Sequence, residues 1–379
     1  EPGTAPPLSP DSSLDSSDAL ADQFDPAPST LPSDFGAVAA SEAPSIHMIG
    51  DYFASGYFLG DIGTGPGSMF PAASAPVAGG VRRFKATDNL NPFPQDRVFF
   101  NYNHFHRAVH DVDGIHRNVD QFTFGLERVF FDGMMSVELR IPFAGGLDAA
   151  QVEDSGATTT TEFGNMPLTL KLLLLDGDNI RFTSGLATVL PTAADATVVT
   201  DVDDVFILEN DAVHIQPYFG FSCANPCRRF FSSGYFAVDW DANGNRISDG
   251  FLLTGGTPVL TSRGDIRDQT LVFVDWQIGY WLYQDYGHIG YLNGIAPVLE
   301  LHYTQATEEP EEVPGVYENP YGKFSLLNLT AGLVFDFRQR AQITVYGAAP
   351  LRREKVFFGG RTVSPLFTTE VGVQCNYRY

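Results

Sequence analysis

The chain has 379 residues, with 46 Asp and Glu against 23 Lys and Arg, for a net charge of −23. An excess of that sign repels nucleic-acid phosphates and argues against a nucleic-acid partner. The 31 phenylalanines, 15 tyrosines and 37 glycines suit strands and turns better than helices, and no apolar run approaches the roughly 20 residues of a membrane helix.

Residues 1–46 are rich in Pro, Ser, Ala and Asp, and no Lys or Arg appears before Arg82. Such a segment cannot bury enough apolar surface to fold alone. It reads as an acidic tail, or as a tether that orders on a partner. The chain opens at Glu1 without a basic-then-apolar leader, as a mature form would after its export signal is removed. Residues 47–95 alternate glycines with aromatics, as in HMIGDYFASGYFLG. GTGPGS lacks the Gly-Lys-Ser/Thr ending of a phosphate loop. This segment reads as irregular structure packed against a larger body, and as a possible plug within it.

From residue 96 onward one strand follows another. In DRVFFNYNHFH, Val98, Phe100 and Tyr102 share a face and Arg97, Phe99, Asn101 and Asn103 share the other. DQFTFGLERVF, MSVELRIPF, LTLKLLLL, IRFTSGLATVL, AVHIQPYFGFS and FFSSGYFAVDW continue the pattern. LVFVDWQIGYWLY sets Val274, Trp276, Ile278 and Tyr280 against Asp275, Gln277 and Gly279. IAPVLELHYT, LLNLTAGLVFDF, AQITVYGAA and TTEVGVQCNYRY complete the series. Period-two alternation marks strands between two unlike environments. Short turns (FFDGM, DGDN, SCANPCRR, YQDYGH, FRQRA) alternate with longer loops at 107–117, 144–166, 191–211, 241–268, 305–323 and 350–365. Short turns then lie at one end and long loops at the other. The parity predicts about twelve strands over 96–379, with FLLTGGTPVLTS in a long loop or in a hairpin beyond the rim.

Three features turn the barrel inside out. The strands are long enough for a tilted membrane crossing. Aromatics recur near strand ends, with Tyr102, Trp240, Tyr280, Tyr303, Tyr377 and Tyr379 as candidates for an interfacial girdle. One face is nearly free of charge, while the other carries Glu127, Glu138, Arg140, Lys171, Asp275, Gln277, Glu300, His302, Asp336, Glu370 and Arg378, which should line the lumen. The expected fold is all-β: a closed antiparallel transmembrane barrel whose last strand pairs with its first, because lipid offers no partner for a bare edge. Bulky inward residues, together with the 47–80 segment, have the size to occlude a twelve-strand lumen.

The ending, with Val371, Val373, Tyr377 and a terminal Tyr379, resembles the terminal signature of bacterial outer-membrane β-barrels. Tyr379 stands where that family more often has Phe, and Cys375 is an unusual occupant of the alternating face. NLNPFPQDRVFFNYNHFHRA resembles a stretch of outer-membrane proteins of planctomycete-type bacteria. These resemblances imply export to the outer membrane, insertion by the barrel-assembly machinery and contact with outer-membrane lipid. They imply no substrate.

Candidates for chemistry are sparse. His104, His106, His110 and His116 cluster in NHFHRAVHDVDGIH, as a zinc or copper set or as a polar rim. Asp239, Asp241 and Asn243 in DWDANGNRISDG match the opening of a calcium loop, but Gly250 stands where the bidentate Glu belongs, so the segment reads as a strand-end turn, with weak cation binding as the alternative. Cys223 and Cys227 are spaced for a small disulfide in an oxidising compartment, leaving Cys375 over. The His-x-Ser-Asn-Gly pattern of outer-membrane phospholipases is absent, so no enzyme and no resident cofactor are expected, beyond calcium or zinc in the outer loops. The expected function is a narrow channel for ions or small polar solutes; the alternative is an occluded structural barrel that assembles through its N-terminal extension and long loops.

Overall fold

The computed structural model describes residues 3, 46–51, 58–59, 73–74, 83–110, 116–146, 150–152, 161–199, 203–253, 256–285, 290–313, 323–352, 356–358, 361–363 and 367–379. The chain divides into two units, Glu1–Glu42 and Ala43–Tyr379. The expected acidic tail falls almost wholly outside the described residues, as does most of the expected plug between residues 52 and 82.

Twelve long strands form the wall: β1 (Arg97–His110), β2 (His116–Phe130), β3 (Met135–Gly145), β4 (Met166–Asp176), β5 (Ile180–Leu190), β6 (His214–Ala224), β7 (Phe230–Asp241), β8 (Leu271–Tyr280), β9 (Leu292–Ala306), β10 (Ser325–Phe337), β11 (Ala341–Arg352) and β12 (Thr369–Arg378). Each pairs antiparallel with its neighbours in chain order. The cylinder closes where β12 pairs with β1, from Thr369 opposite His106 to Arg378 opposite Arg97. Two short pieces, Thr161–Phe163 and Tyr283–Gln284, attach to β3 and β9. Among the described residues there is no helix.

Tight turns need left-handed backbone, and the chain places it at Phe131, Asp132 and Gly133 between β2 and β3, and at Arg338 and Gln339 between β10 and β11. These turns share one end of the barrel with the start of β1 and the end of β12. The connection at 281–291 is longer than the predicted turn, because Tyr283–Gln284 pairs back onto Ile295 and Gly294. At the other end β1 and β2 run on to His110 and His116, past the predicted loop boundaries. FLLTGGTPVLTS forms the predicted hairpin: Asn245–Leu252 pairs with Pro258–Ile266 outside the barrel wall. That hairpin joins Asp204–Leu208, Ala196–Val199 and Ala150–Val152 in a five-stranded sheet, packed around Val198, Phe206, Leu208, Ile247 and Ile266.

The polarity of the wall is inverted. Phe124, Trp276 and Tyr379 face outward at 49, 53 and 53% exposure, while Lys171 and Glu300 face inward at 0%. Rings form a band over the outside of β1 to β3, with Phe100 and Phe124 centred 5.0 Å apart and Phe124 and Phe143 6.3 Å apart. Glycines on the inward face seat rings from the adjacent strand. A Cβ on Gly125 would stand 1.9 Å from the Phe99 ring, and one on Gly279 would stand 2.1 Å from the Phe231 ring. Part of the Gly, Phe and Tyr excess therefore has a packing reason.

Candidate functional site

The site is the interior of the cylinder, and it is filled. Its contents are the inward side chains and an irregular stretch of chain, residues 46–51 and 83–95, that has no ladder of its own. Asn89 takes a left-handed φ of 50° there, and Met48 N–H donates to Leu90 O at 2.9 Å, tying the two halves together.

Two polar clusters hold this inner segment. In the first, Glu127 accepts from Arg97 Nε at 2.7 Å, Lys171 Nζ at 2.7 Å and Ser136 Oγ at 2.6 Å. Glu138 accepts from Arg97 Nη2 and Arg140 Nε, both at 2.6 Å. Arg97 also donates to Asn376 Oδ1 at 2.8 Å and to Asn89 O at 2.9 Å; Lys171 reaches Phe93 O at 3.2 Å. Four strands, β1 to β4, and the inner segment thus share one cluster of charge.

In the second, Lys85 Nζ of the inner segment lies 2.8 Å from Asp51 Oδ1 and 2.5 Å from wall residue Asp275. His302 lies between Asp275 at 2.8 Å and Glu300 at 2.9 Å. Glu300 accepts from the Ile49 and Gly50 backbones at 2.8 and 3.2 Å and from Gln277 Nε2 at 2.6 Å. Thr87 Oγ1 donates to Asp275 at 2.6 Å, and Asn328 Nδ2 donates to Asp51 at 2.6 Å. Asp51, Asp275 and His302 also have the donor geometry of a metal site. The ammonium of Lys85 already supplies the positive charge there, so an ion would have to displace it.

Asp336 lies at the short-turn end, 3.6 Å from Arg378 Nη2. Glu370 accepts from Asn103 Nδ2 at 2.6 Å. Apolar residues close the interior around the charges: Phe84, Phe105 and Phe367 in one cluster, and Ile46, Ile49, Phe231 and Trp281 in another.

The aromatic candidates separate by position. Tyr280, Tyr377 and Tyr379 are exposed at the short-turn end and Trp240 at the long-loop end. Tyr303 bonds to Gln305 near the end of β9. Tyr102 sits deeper in the wall, its hydroxyl donating to Asp120 at 2.8 Å. Phe131 and Tyr291, both strongly exposed at the short-turn end, were not singled out from the sequence because they sit in turns, where alternation gives no signal.

The metal candidates do not assemble as the sequence grouped them. His104 faces outward and pairs with Asp120 at 2.8 Å. His110 stands opposite His116 in the ladder, with side chains outside the described residues. Asp241 Oδ1 instead accepts from the Asn243 and Gly244 backbones at 3.1 and 2.7 Å, while Asn243 caps Val213 N and Asp211 O. The Asp-x-Asn-Gly pattern here serves a turn, with the Asn243 amide bonded to the Val213 and Asp211 backbones. Asp239 is turned to Arg83 Nε at 2.7 Å and to His214. The geometry brings Asp241 to His214 and Asp268.

Cys223 and Cys227 are both free, in contrast to the expected disulfide. Cys223 is held in the ladder opposite Ile180, on the outward face. Cys227 lies in the turn, where Asn225 Nδ2 donates to its sulfur at 3.0 Å.

Sequence reasoning missed the role of Lys85, Asp51, Asn89 and His47. The available signal was charge. Arg82, Arg83 and Lys85 are the only Lys or Arg residues before Arg97, and they precede a wall whose inward face is rich in carboxylates.

A closed antiparallel cylinder with an apolar outside and a charged, packed inside defines a transmembrane β-barrel, the architecture of bacterial outer membranes. No family model and no curated protein matches the chain. Among solved structures, an outer membrane channel from Pseudomonas putida F1 is 11% identical, over 76% of this chain and 97% of that one, with a TM-score of 0.47. The NanC porin is 8% identical over 75% and 100%, with a TM-score of 0.41. The β domain of the Bordetella autotransporter BrkA is 9% identical over 76% and 100%, with a TM-score of 0.43. The class rests on this chain's own ladder and polarity.

Proposed function

We propose that the chain is a bacterial outer-membrane barrel that works as a narrow channel for ions or small polar solutes, and that residues 46–51 and 83–95 hold it closed. The observation that carries this reading is the ion pairing of Lys85, on the inner segment, with Asp275 on the wall. A lumen lined with charge is a path for polar solutes. The same charges bind the segment that fills it. With the segment displaced, inward acids such as Glu127, Glu138, Asp275, Glu300, Asp336 and Glu370 outnumber Arg97, Arg140, Lys171 and Arg378, so the open form prefers cations. The terminal resemblance supports insertion by the barrel-assembly machinery.

The second reading is a permanently filled structural barrel that assembles with copies of itself or with other envelope proteins. The five-stranded sheet beyond the rim favours it, since its outer strand Pro258–Ile266 is exposed along almost its whole length.

Conductance in planar bilayers separates the two. The full chain is expected to be silent or to open rarely, and a chain lacking residues 1–95 to show a steady, cation-preferring conductance. A heat-dependent shift in gel mobility serves as the check of folding. Steady conductance of the full chain refutes closure by the segment. Silence of a folded deletion variant leaves the structural barrel.

A further inference from the structure

Three side chains from three segments meet at the long-loop rim. His214 opens β6, Asp241 ends β7, and Asp268 lies in the connection leading to β8. All three are buried, and each offers a donor atom within 4.8 Å of the other two. His214 Nε2 lies 3.0 Å from Asp268 Oδ2, and its Nδ1 lies 3.2 Å from Asp239 Oδ1. Asp241 Oδ2 accepts the Asp268 backbone N–H at 2.9 Å, which locks the two carboxylates side by side.

One imidazole therefore stands between two carboxylates. A neutral ring donates through one nitrogen and accepts through the other, so the 3.0 Å contact to Asp268 is bridged by a proton, at the place an ion can take. Asp239, itself anchored by Arg83 Nε at 2.7 Å, is placed to accept Nδ1–H. The Nε2 lone pair is then aimed at Asp268. This is the carboxylate–histidine arrangement that orients an imidazole toward a metal. The His214–Asp268 distance suits the ion as it stands. Two donors about 2.0 Å from a tetrahedral zinc lie roughly 3.3 Å apart, close to the 3.0 Å already present.

The surroundings supply access and charge. A cavity of about 580 Å³ opens beside Asp241 and Asp268 and is lined by Glu308, Glu309 and Glu311, with Arg267 as its basic residue. Glu308 and Glu311 spend one oxygen each on the Thr270 and Arg267 backbones, at 2.9 and 2.7 Å. The cavity thus attracts cations and holds room for a water to complete the coordination.

We propose that His214, Asp241 and Asp268 bind one divalent transition-metal ion, zinc before calcium or magnesium, with Asp239 as the positioning residue that keeps His214 Nε2 turned to it. One nitrogen and two carboxylates suit zinc, whereas calcium and magnesium favour all-oxygen sets. The ion would fasten β6, β7 and the 242–270 connection together at the outer mouth, independently of whether the lumen conducts.

The test is metal titration of the full-length, detergent-folded protein after treatment with a chelator. Zinc chloride should bind at one equivalent, and calcium chloride at least tenfold more weakly. His214→Gln and Asp268→Asn should each lose at least a hundredfold in affinity. Asp239→Asn should keep the stoichiometry and weaken binding by about 10- to 100-fold, as loss of an orienting partner does. Asp176→Asn, at the short-turn end of the barrel where Asp176 pairs with Arg181, should bind as the parent does. Absence of zinc binding, or binding by His214→Gln as tight as by the parent, overturns the site. Cobalt chloride reads the same site in the unaltered chain if a variant fails to fold. An intense visible band from a four-coordinate ion supports it, and the pale spectrum of a six-coordinate aqueous-like ion overturns it.

Discussion

Replacing Lys85 by Met is the most direct probe of the filled lumen, because it removes one charge and keeps most of the side-chain volume. Lys85 is fully buried, with its ammonium 2.8 Å from Asp51 and 2.5 Å from Asp275. Without it, two buried carboxylates face each other across the segment and the wall with His302 as their remaining hydrogen-bonding neighbour. Removing one member of a buried pair costs about 3–5 kcal/mol, most of it the uncompensated charge left behind. At about 1.4 kcal/mol per power of ten, the population of displaced or unfolded forms rises roughly two to three and a half orders of magnitude. The assay is urea unfolding in detergent followed by tryptophan fluorescence, with bilayer conductance measured in parallel. Lys85→Met should unfold at lower urea and open more often. Adding Asp275→Asn should recover part of the loss, because it removes a charge that has lost its partner. A Lys85→Met midpoint within about 0.5 kcal/mol of the parent, as for an ordinary surface change, would refute the reasoning. So would a double variant as unstable as the two single losses added together.

Other positions test other parts of the architecture. Val274 faces outward in the middle of β8, opposite Phe236 and Tyr303; Val274→Arg should cost about 2–4 kcal/mol of folding stability in lipid vesicles, and a neutral result would contradict the lipid-facing assignment. Gly125→Ala drives a methyl into the Phe99 ring and should cost about 1–3 kcal/mol, the usual range for overpacking, with Phe99→Leu in the same chain relieving part of it in the same urea assay. Cys227 is exposed, and hydrogen bonds from the Arg229 backbone and the Asn225 side chain hold its thiol below the ordinary cysteine value. Its alkylation by iodoacetamide should therefore become fast at lower pH than that of a free cysteine. Mass spectrometry without reductant should find all three thiols, and a Cys223–Cys227 bridge would contradict the structure.

The wall was legible in the sequence because each strand separates two solvents. Val371, Val373 and Tyr377 against Glu370, Gln374 and Asn376 is a pattern that only one register satisfies, and the alternation of turn lengths carried the topology. The filling was not legible. Its contacts join residues far apart, as in His47 with Gln342 at 2.8 Å across 295 positions, and its backbone has no period to read. Charge offered the remaining hint, in Arg83 and Lys85 upstream of an acidic wall. The loop after Trp240 carried two readings, a turn and a cation loop, for a physical reason. Asp and Asn followed by Gly satisfy a tight turn through side-chain-to-backbone hydrogen bonds as readily as they coordinate calcium. The histidine that joins Asp241, His214, lies 27 residues earlier on the neighbouring strand, where no spacing rule would look.

The inner segment is continuous with β1, and β1 is one lip of the seam that β12 seals. A ring of hydrogen bonds cannot shut before its contents are inside, unless the chain is later threaded through the mouth. Short of such threading, residues 83–95 settle against the half-built sheet while the first and last strands are still apart. The barrel is wrapped around its own occupant, and opening it afterwards means breaking salt bridges in the dark interior rather than moving a flap at the surface.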